Sequence, residues 1–91
     1  MESRFESHIP IHVTSGQIRA ARAFLGWSRE EAASACGVSR ATLARLEQSD
    51  HLLKSSTLAS ILQAFEARGV VFFQDQWGCG VALRHAPGHS S

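Results

Sequence analysis

Apolar residues recur at helical spacing along most of this chain and switch to strand spacing near its end. Ile18, Ala21 and Leu25, with Phe24 beside them, form a stripe that predicts a first helix over 15–25. Thr14-x-x-Gln17 ahead of it fits a capping box, in which hydroxyl and amide satisfy backbone donors reciprocally. Gly26 suits the left-handed turn that ends such a helix. Ser28-x-x-Glu31 repeats the box and predicts a second helix over 29–36, with Glu30 and Glu31 at the positive end of its dipole. Ala32, Ala33 and Ala35 are small enough for another helix to approach closely, and Gly37 stops this helix after about two turns.

Ser39 is the N-cap of a predicted third helix over 40–48. Leu43 and Leu46 face inward there, which leaves Arg40, Ala41, Thr42 and Arg45 on or near the other face. After turn chemistry at Ser49-Asp50, a fourth helix is expected over 57–68, capped by Ser55 or Ser56. Its stripe is Leu58, Ile61, Leu62 and Phe65, and Gly69 ends it. Val70-Val71-Phe72-Phe73-Gln74 is β-branched and aromatic, hence a strand. Residues 75–80, with Trp77, Gly78 and Gly80, read as a loop, and 81–84 as a return strand that completes a hairpin. Ile9, Ile11 and Val13 alternate around Pro10 and His12, so 1–13 reads as an arm. The organisation is an arm at 1–13, a helical domain at 14–69, a β-hairpin at 70–84 and a tail at 85–91.

A length of 91 residues suits one domain, and 44 % apolar with 19 % charged residues is a globular composition. No apolar run approaches the roughly 18 residues of a membrane span, and the first residues lack a secretory pattern, so no membrane partner is expected. Cys36 and Cys79 stand far apart with no Cys-x-x-Cys, which argues against a disulfide framework and for a cytoplasmic location. The net charge of +1 announces no polyanion partner by itself. Residues 14–54 nevertheless hold six basic and four acidic side chains, so the question is whether the arginines share a face.

The second and third predicted helices answer it. Two short helices joined through Gly37 have the grammar of a helix-turn-helix. Ala33 is small where the helices cross, Gly37 tolerates a positive φ, and Val38, Leu43 and Leu46 bury the joint. The third helix can then present its first polar residues to a major groove.

At these residues the chain resembles the lambda-repressor-like helix-turn-helix regulators, the XRE family. The resemblance covers 14–68 and rests on Gly26-Trp-Ser-Arg-Glu-Glu-Ala-Ala and Gly37-Val-Ser-Arg-Ala-Thr-Leu-Ala-Arg-Leu-Glu. It departs from that family at Ala32, where a larger aliphatic residue is usual, and in the hairpin that stands in place of a fifth helix. The fold it implies is mainly α: a four-helix lambda-repressor-like helix-turn-helix domain with a C-terminal β-hairpin. It also implies roles. Arg40, Ala41 and Arg45 fall where bases are read; an arginine can grip guanine O6 and N7, and Ala41 can meet a thymine methyl. Arg29, Ser39, Thr42 and Gln48 match positions that touch phosphates, and Lys54 is a further phosphate candidate. Arg22 and Glu47 match an ion pair that ties the first helix to the third.

One helix-turn-helix reads few base pairs, so a homodimer on a short two-fold symmetric operator of double-stranded DNA is expected. The hairpin is its candidate seat. Val70, Val71, Phe72 and Phe73, with Val81 and Leu83 opposite, offer more apolar surface than one buried face needs. The reading is a repressor of bacterial or phage type, nucleoid-associated when bound. Its rival is an antitoxin-like or other protein-interaction module on the same fold, with a protein partner at the hairpin.

The plainer readings are solvated surface arginines at 29, 40 and 45, and a core role for Trp27. His8-x-x-x-His12 and His85-x-x-x-His89 have helical ligand spacing but lie outside predicted helices, and His51 lies in a loop, so no metal site is expected. Cys36 reads as a small buried hydrophobe and Cys79 as an exposed loop residue. No Ser/His/Asp set, paired carboxylates or glycine-rich phosphate loop stands out, so neither catalysis nor a cofactor is expected.

Overall fold

The computed structural model describes residues 13–48 and 55–84. Four helices come first: α1 (Ser15–Leu25), α2 (Arg29–Cys36), α3 (Arg40–Gln48) and α4 (Ser55–Glu66). Two antiparallel strands follow, β1 (Val70–Asp75) and β2 (Gly78–Leu83). The arm at 1–12, the linker at 49–54 and the tail at 85–91 lie outside the described residues, and with them all five histidines and Lys54.

Both capping boxes form. Gln17 N donates to Thr14 Oγ1 at 3.2 Å while Thr14 N donates to Gln17 Oε1 at 3.0 Å. Glu31 N donates to Ser28 Oγ at 3.0 Å and Ser28 N to Glu31 Oε1 at 2.7 Å. Gly26 and Gly37 close α1 and α2 at φ 68 and φ 72, where a side chain would be strained. Ser39 starts α3, its hydroxyl accepting from Thr42 N at 3.0 Å. α4 is shifted from its expected span, beginning two residues earlier, at Ser55, so neither Ser55 nor Ser56 is a preceding cap. It ends at Glu66 because the next amides tighten: Arg68 N donates to Phe65 O at 3.0 Å and Gly69 N to Glu66 O at 2.9 Å, three residues back rather than four.

The core draws on every element but β2. It joins Ile18 and Ala21, Ala32, Ala33 and Cys36, Leu43 and Leu46, then Ile61, Leu62 and Phe65, then Val70 and Phe72. Full burial of one such Leu, Ile or Phe contributes about 1.5–3 kcal/mol. Phe65 is its centre, 5.5 Å from the ring of Trp27 and 5.9 Å, edge-on, from Phe72. Ala32 is fully buried in this cluster, to which Phe65 also belongs and against which Trp27 packs. Phe24 does not join the α1 stripe; it is 49 % exposed, because a residue one step before Leu25 sits about 100° round the helix.

The hairpin is tighter than the sequence suggests. β2 starts at Gly78, so the connection is Gln76-Trp77 alone rather than a loop over 75–80. Asp75 Oδ1 accepts from Trp77 N at 2.8 Å and Gly78 N at 3.0 Å, which closes the turn. Gly80 is a strand residue, not a turn residue. It pairs with Phe73, and a Cβ at Gly80 would lie 2.9 Å from Phe73 Cζ. The glycine therefore makes room for a cross-strand ring. Val70 and Phe72 point into the core, and Val81, the partner of Phe72, packs beside them. Gln17 anchors the hairpin to α1, its Nε2 donating to Phe73 O at 3.2 Å and Gly80 O at 3.0 Å.

Candidate nucleic-acid interface

Gly37 sets the angle between α2 and α3. Its N–H donates to the carbonyls of Ala33 and Ser34, and Val38 N donates to Ala33 O at 3.0 Å. Ser60 on α4 holds the same corner, donating to Cys36 O at 3.1 Å. α3 then divides by face. Leu43, Leu46 and Glu47 are buried, while Arg40, Ala41, Arg45 and Gln48 are exposed and Thr42 is half-buried. Three of these side chains fall in the order a groove-reading helix needs, with Arg40 and Ala41 in the first turn and Arg45 in the next.

Ser39 Oγ is engaged twice, accepting from Thr42 N and donating to Thr42 Oγ1 at 2.9 Å. That leaves the Thr42 hydroxyl proton as the outward donor of the two.

Glu47 is where the helices are locked together. Its side chain has no solvent exposure. Arg22 Nε donates to Oε2 at 2.7 Å and Nη2 to Oε1 at 3.1 Å, while Nη1 reaches Trp27 O at 3.0 Å. Arg29 Nε adds a third bond to Oε1 at 3.1 Å. Arg19 Nη1 donates to the backbone carbonyl of Glu47, next to the negative end of α3. Burial disfavours the charge and pushes the carboxyl up. The hydrogen bonds and charges of Arg22 and Arg29 together outweigh it, and the group ends below the ordinary glutamate range.

The sequence reading places Arg29 on phosphate; here one edge of its guanidinium is on Glu47. The side chain is 44 % exposed, and its two Nη groups have no protein partner among the described residues. The parts played by Arg19, by Arg29 at Glu47 and by Gln17 at the hairpin were not read from the sequence. Each is a contact across at least 18 residues, to which short-range spacing is blind.

Arg40 is exposed at 67 % and among the described residues has one ionic partner, Glu30 in the first turn of α2, with Nη1 3.8 Å from Oε2. Lys54 lies outside the described residues. In the hairpin, Val70 and Phe72 are buried in their own chain's core. Val71, Phe73 and Val81 are half-buried, and Leu83 is 43 % exposed.

Cys36 is buried, and burial pushes its thiol up to about 11, so it stays a neutral apolar group. Cys79 is exposed, on β2 rather than in a loop. Among the described residues no three His, Cys, Asp or Glu side chains gather as a metal site, and no helix is long and apolar enough to cross a membrane.

A search of curated proteins gives no match. The profile of a helix-turn-helix domain matches residues 15–71, from the start of α1 into β1. The match spans well over half the chain and takes in the Gly37 turn, the outward face of α3 and the Glu47 lock. With four helices and a C-terminal hairpin built around them, the chain belongs to the DNA-binding helix-turn-helix domain family.

Proposed function

We propose that this protein is a cytoplasmic transcriptional repressor of the XRE type that binds a short two-fold symmetric operator as a homodimer, with no enzymatic activity. The observation that carries the reading is the outward face of α3. Arg40, Ala41 and Arg45 stand clear of the core on a helix whose inner face is fixed by Leu43, Leu46 and the Glu47 lock. Arg40 and Arg45 reach guanine edges and Ala41 a thymine methyl. Around them Arg29, Thr42 and Gln48 meet phosphates, while the Ser39 hydroxyl is engaged by Thr42. Arg29 is held by Nε with its Nη pair outward, an arrangement that suits a phosphate oxygen.

Dimerisation through the hairpin sets two such helices about 34 Å apart, one turn of DNA. With Val70 and Phe72 committed to the core, the hairpin face left for a second copy is the opposite one, which carries Val71 and Phe73, whereas Leu83 pairs with Val70 on the core face. Electrophoretic retardation of random-sequence duplexes at two salt concentrations tests the DNA reading. Binding that falls steeply with salt supports it, and no binding at low salt removes it.

The second reading is a protein-interaction module. It is favoured by Trp77, 84 % exposed at the hairpin tip. Stable co-purification of a protein lost on Trp77→Ala, with no DNA retardation, selects that reading.

A further inference from the structure

Two adjacent glutamates open α2, and they are used differently. Glu31 completes the capping box with Ser28. Glu30 takes no part in the cap. Its side chain is 75 % exposed, and its carboxylate lies 3.8 Å from Arg40 Nη1. An exposed pair of this kind adds little to folding, at most a few-fold in the folding equilibrium. A carboxylate beside a surface that meets a polyanion also weakens binding to every sequence. General affinity does not account for Glu30, and its place at the positive end of the α2 dipole, which Glu31 shares, does not account for its approach to Arg40.

The geometry of the pair does. The nearest approach of the carboxylate is to Nη1. The opposite edge of the Arg40 guanidinium, Nε with Nη2, makes no hydrogen bond among the described residues and keeps the fork that matches guanine O6 and N7. We propose that Glu30 is a positioning residue for base recognition: it holds Arg40 by Nη1, turns the Nε–Nη2 edge toward the groove, and keeps the arginine from settling on the phosphate backbone. Discrimination then has a repulsive part as well as an attractive one. The inference rests on the DNA-binding reading above and names a residue that sharpens it.

Its signature is a change of opposite sign on two kinds of DNA. Glu30→Gln in the full chain is titrated by fluorescence anisotropy against a duplex selected by the parent protein and against a random duplex of equal length. Affinity for random DNA rises and affinity for the selected duplex falls, narrowing their ratio by about threefold or more, the scale of one exposed charge pair. The melting temperature falls by no more than the loss of one charge at a helix N-terminus explains. Added to Arg40→Ala, the Glu30 substitution narrows the ratio no further, because Glu30 acts through Arg40. A rise in both affinities by the same factor, or an additive loss in the double variant, overturns the inference alone. A parent that binds no duplex at low salt, or binds all duplexes alike, overturns the specific-DNA reading and this inference with it.

Discussion

Arg22 grips Glu47 through two guanidinium nitrogens, at 2.7 and 3.1 Å, and the carboxylate it holds is sealed from solvent. The bond joins α1 to α3, so the helix proposed to face DNA is braced from behind by charge as well as by Leu43 and Leu46. Removing the acid leaves Arg22, Arg29 and Arg19 crowded without a counter-ion. Glu47→Ala is expected to destabilise the fold by about 3–5 kcal/mol, read from denaturant unfolding. An unchanged unfolding midpoint contradicts the brace.

The same carboxylate sets an acid limit. Its folded pKa lies below the unfolded one, so the unfolded chain takes up the proton first as pH falls. The stabilisation is therefore complete above the ordinary glutamate pKa of about 4.3 and is lost as pH drops from there through the depressed folded value. Thermal melts between neutral pH and pH 3 are expected to show this loss in the parent and a shallower one in Glu47→Gln.

Leu46, on the inner face of α3, is 6 % exposed. Leu46→Ala should cost about 2–5 kcal/mol through lost transfer energy and the cavity left behind. Chemical denaturation measures it.

Phe73 and Gly80 are coupled across the hairpin. Gly80→Ala drives a methyl against the ring and is expected to destabilise by about 1–3 kcal/mol. In Phe73→Ala the obstruction is gone, and the same glycine substitution costs much less. A double-mutant cycle with no coupling contradicts the arrangement.

Much of this was legible because it is local. The Thr14 and Ser28 boxes, the turns at Gly26 and Gly37, and the bounds of α1 to α3 all follow from residues within a few positions of one another. The hairpin was legible as a hairpin but not in its register. Gly78 and Gly80 carry loop chemistry in sequence, whereas Gly80 serves a ring that lies opposite only after pairing. α4 ends earlier than its stripe suggests because its last amides bond three residues back. In the site, the outward set on α3 follows from helical periodicity, while the gathering of Arg19 and Arg29 at Glu47 and the Arg40–Glu30 pair depend on how helices cross.

The dimer is tested without cutting the chain, since truncation before β1 would strip Val70 and Phe72 from the core. Light scattering at micromolar concentration should give a dimeric mass for the parent and a monomeric one for Val71→Lys, on the hairpin face turned away from the core, with melting temperature retained. A monomeric parent contradicts the dimer.

The central claim is that the exposed face of α3 reads sequence. The most direct measurement is the affinity of Arg40→Ala and Arg45→Ala for a duplex selected by the parent and for random DNA. The account predicts a loss of about 1–3 kcal/mol for each on the selected duplex and a smaller loss on random DNA, so that base preference relaxes. Variants that bind both duplexes as the parent does would contradict it.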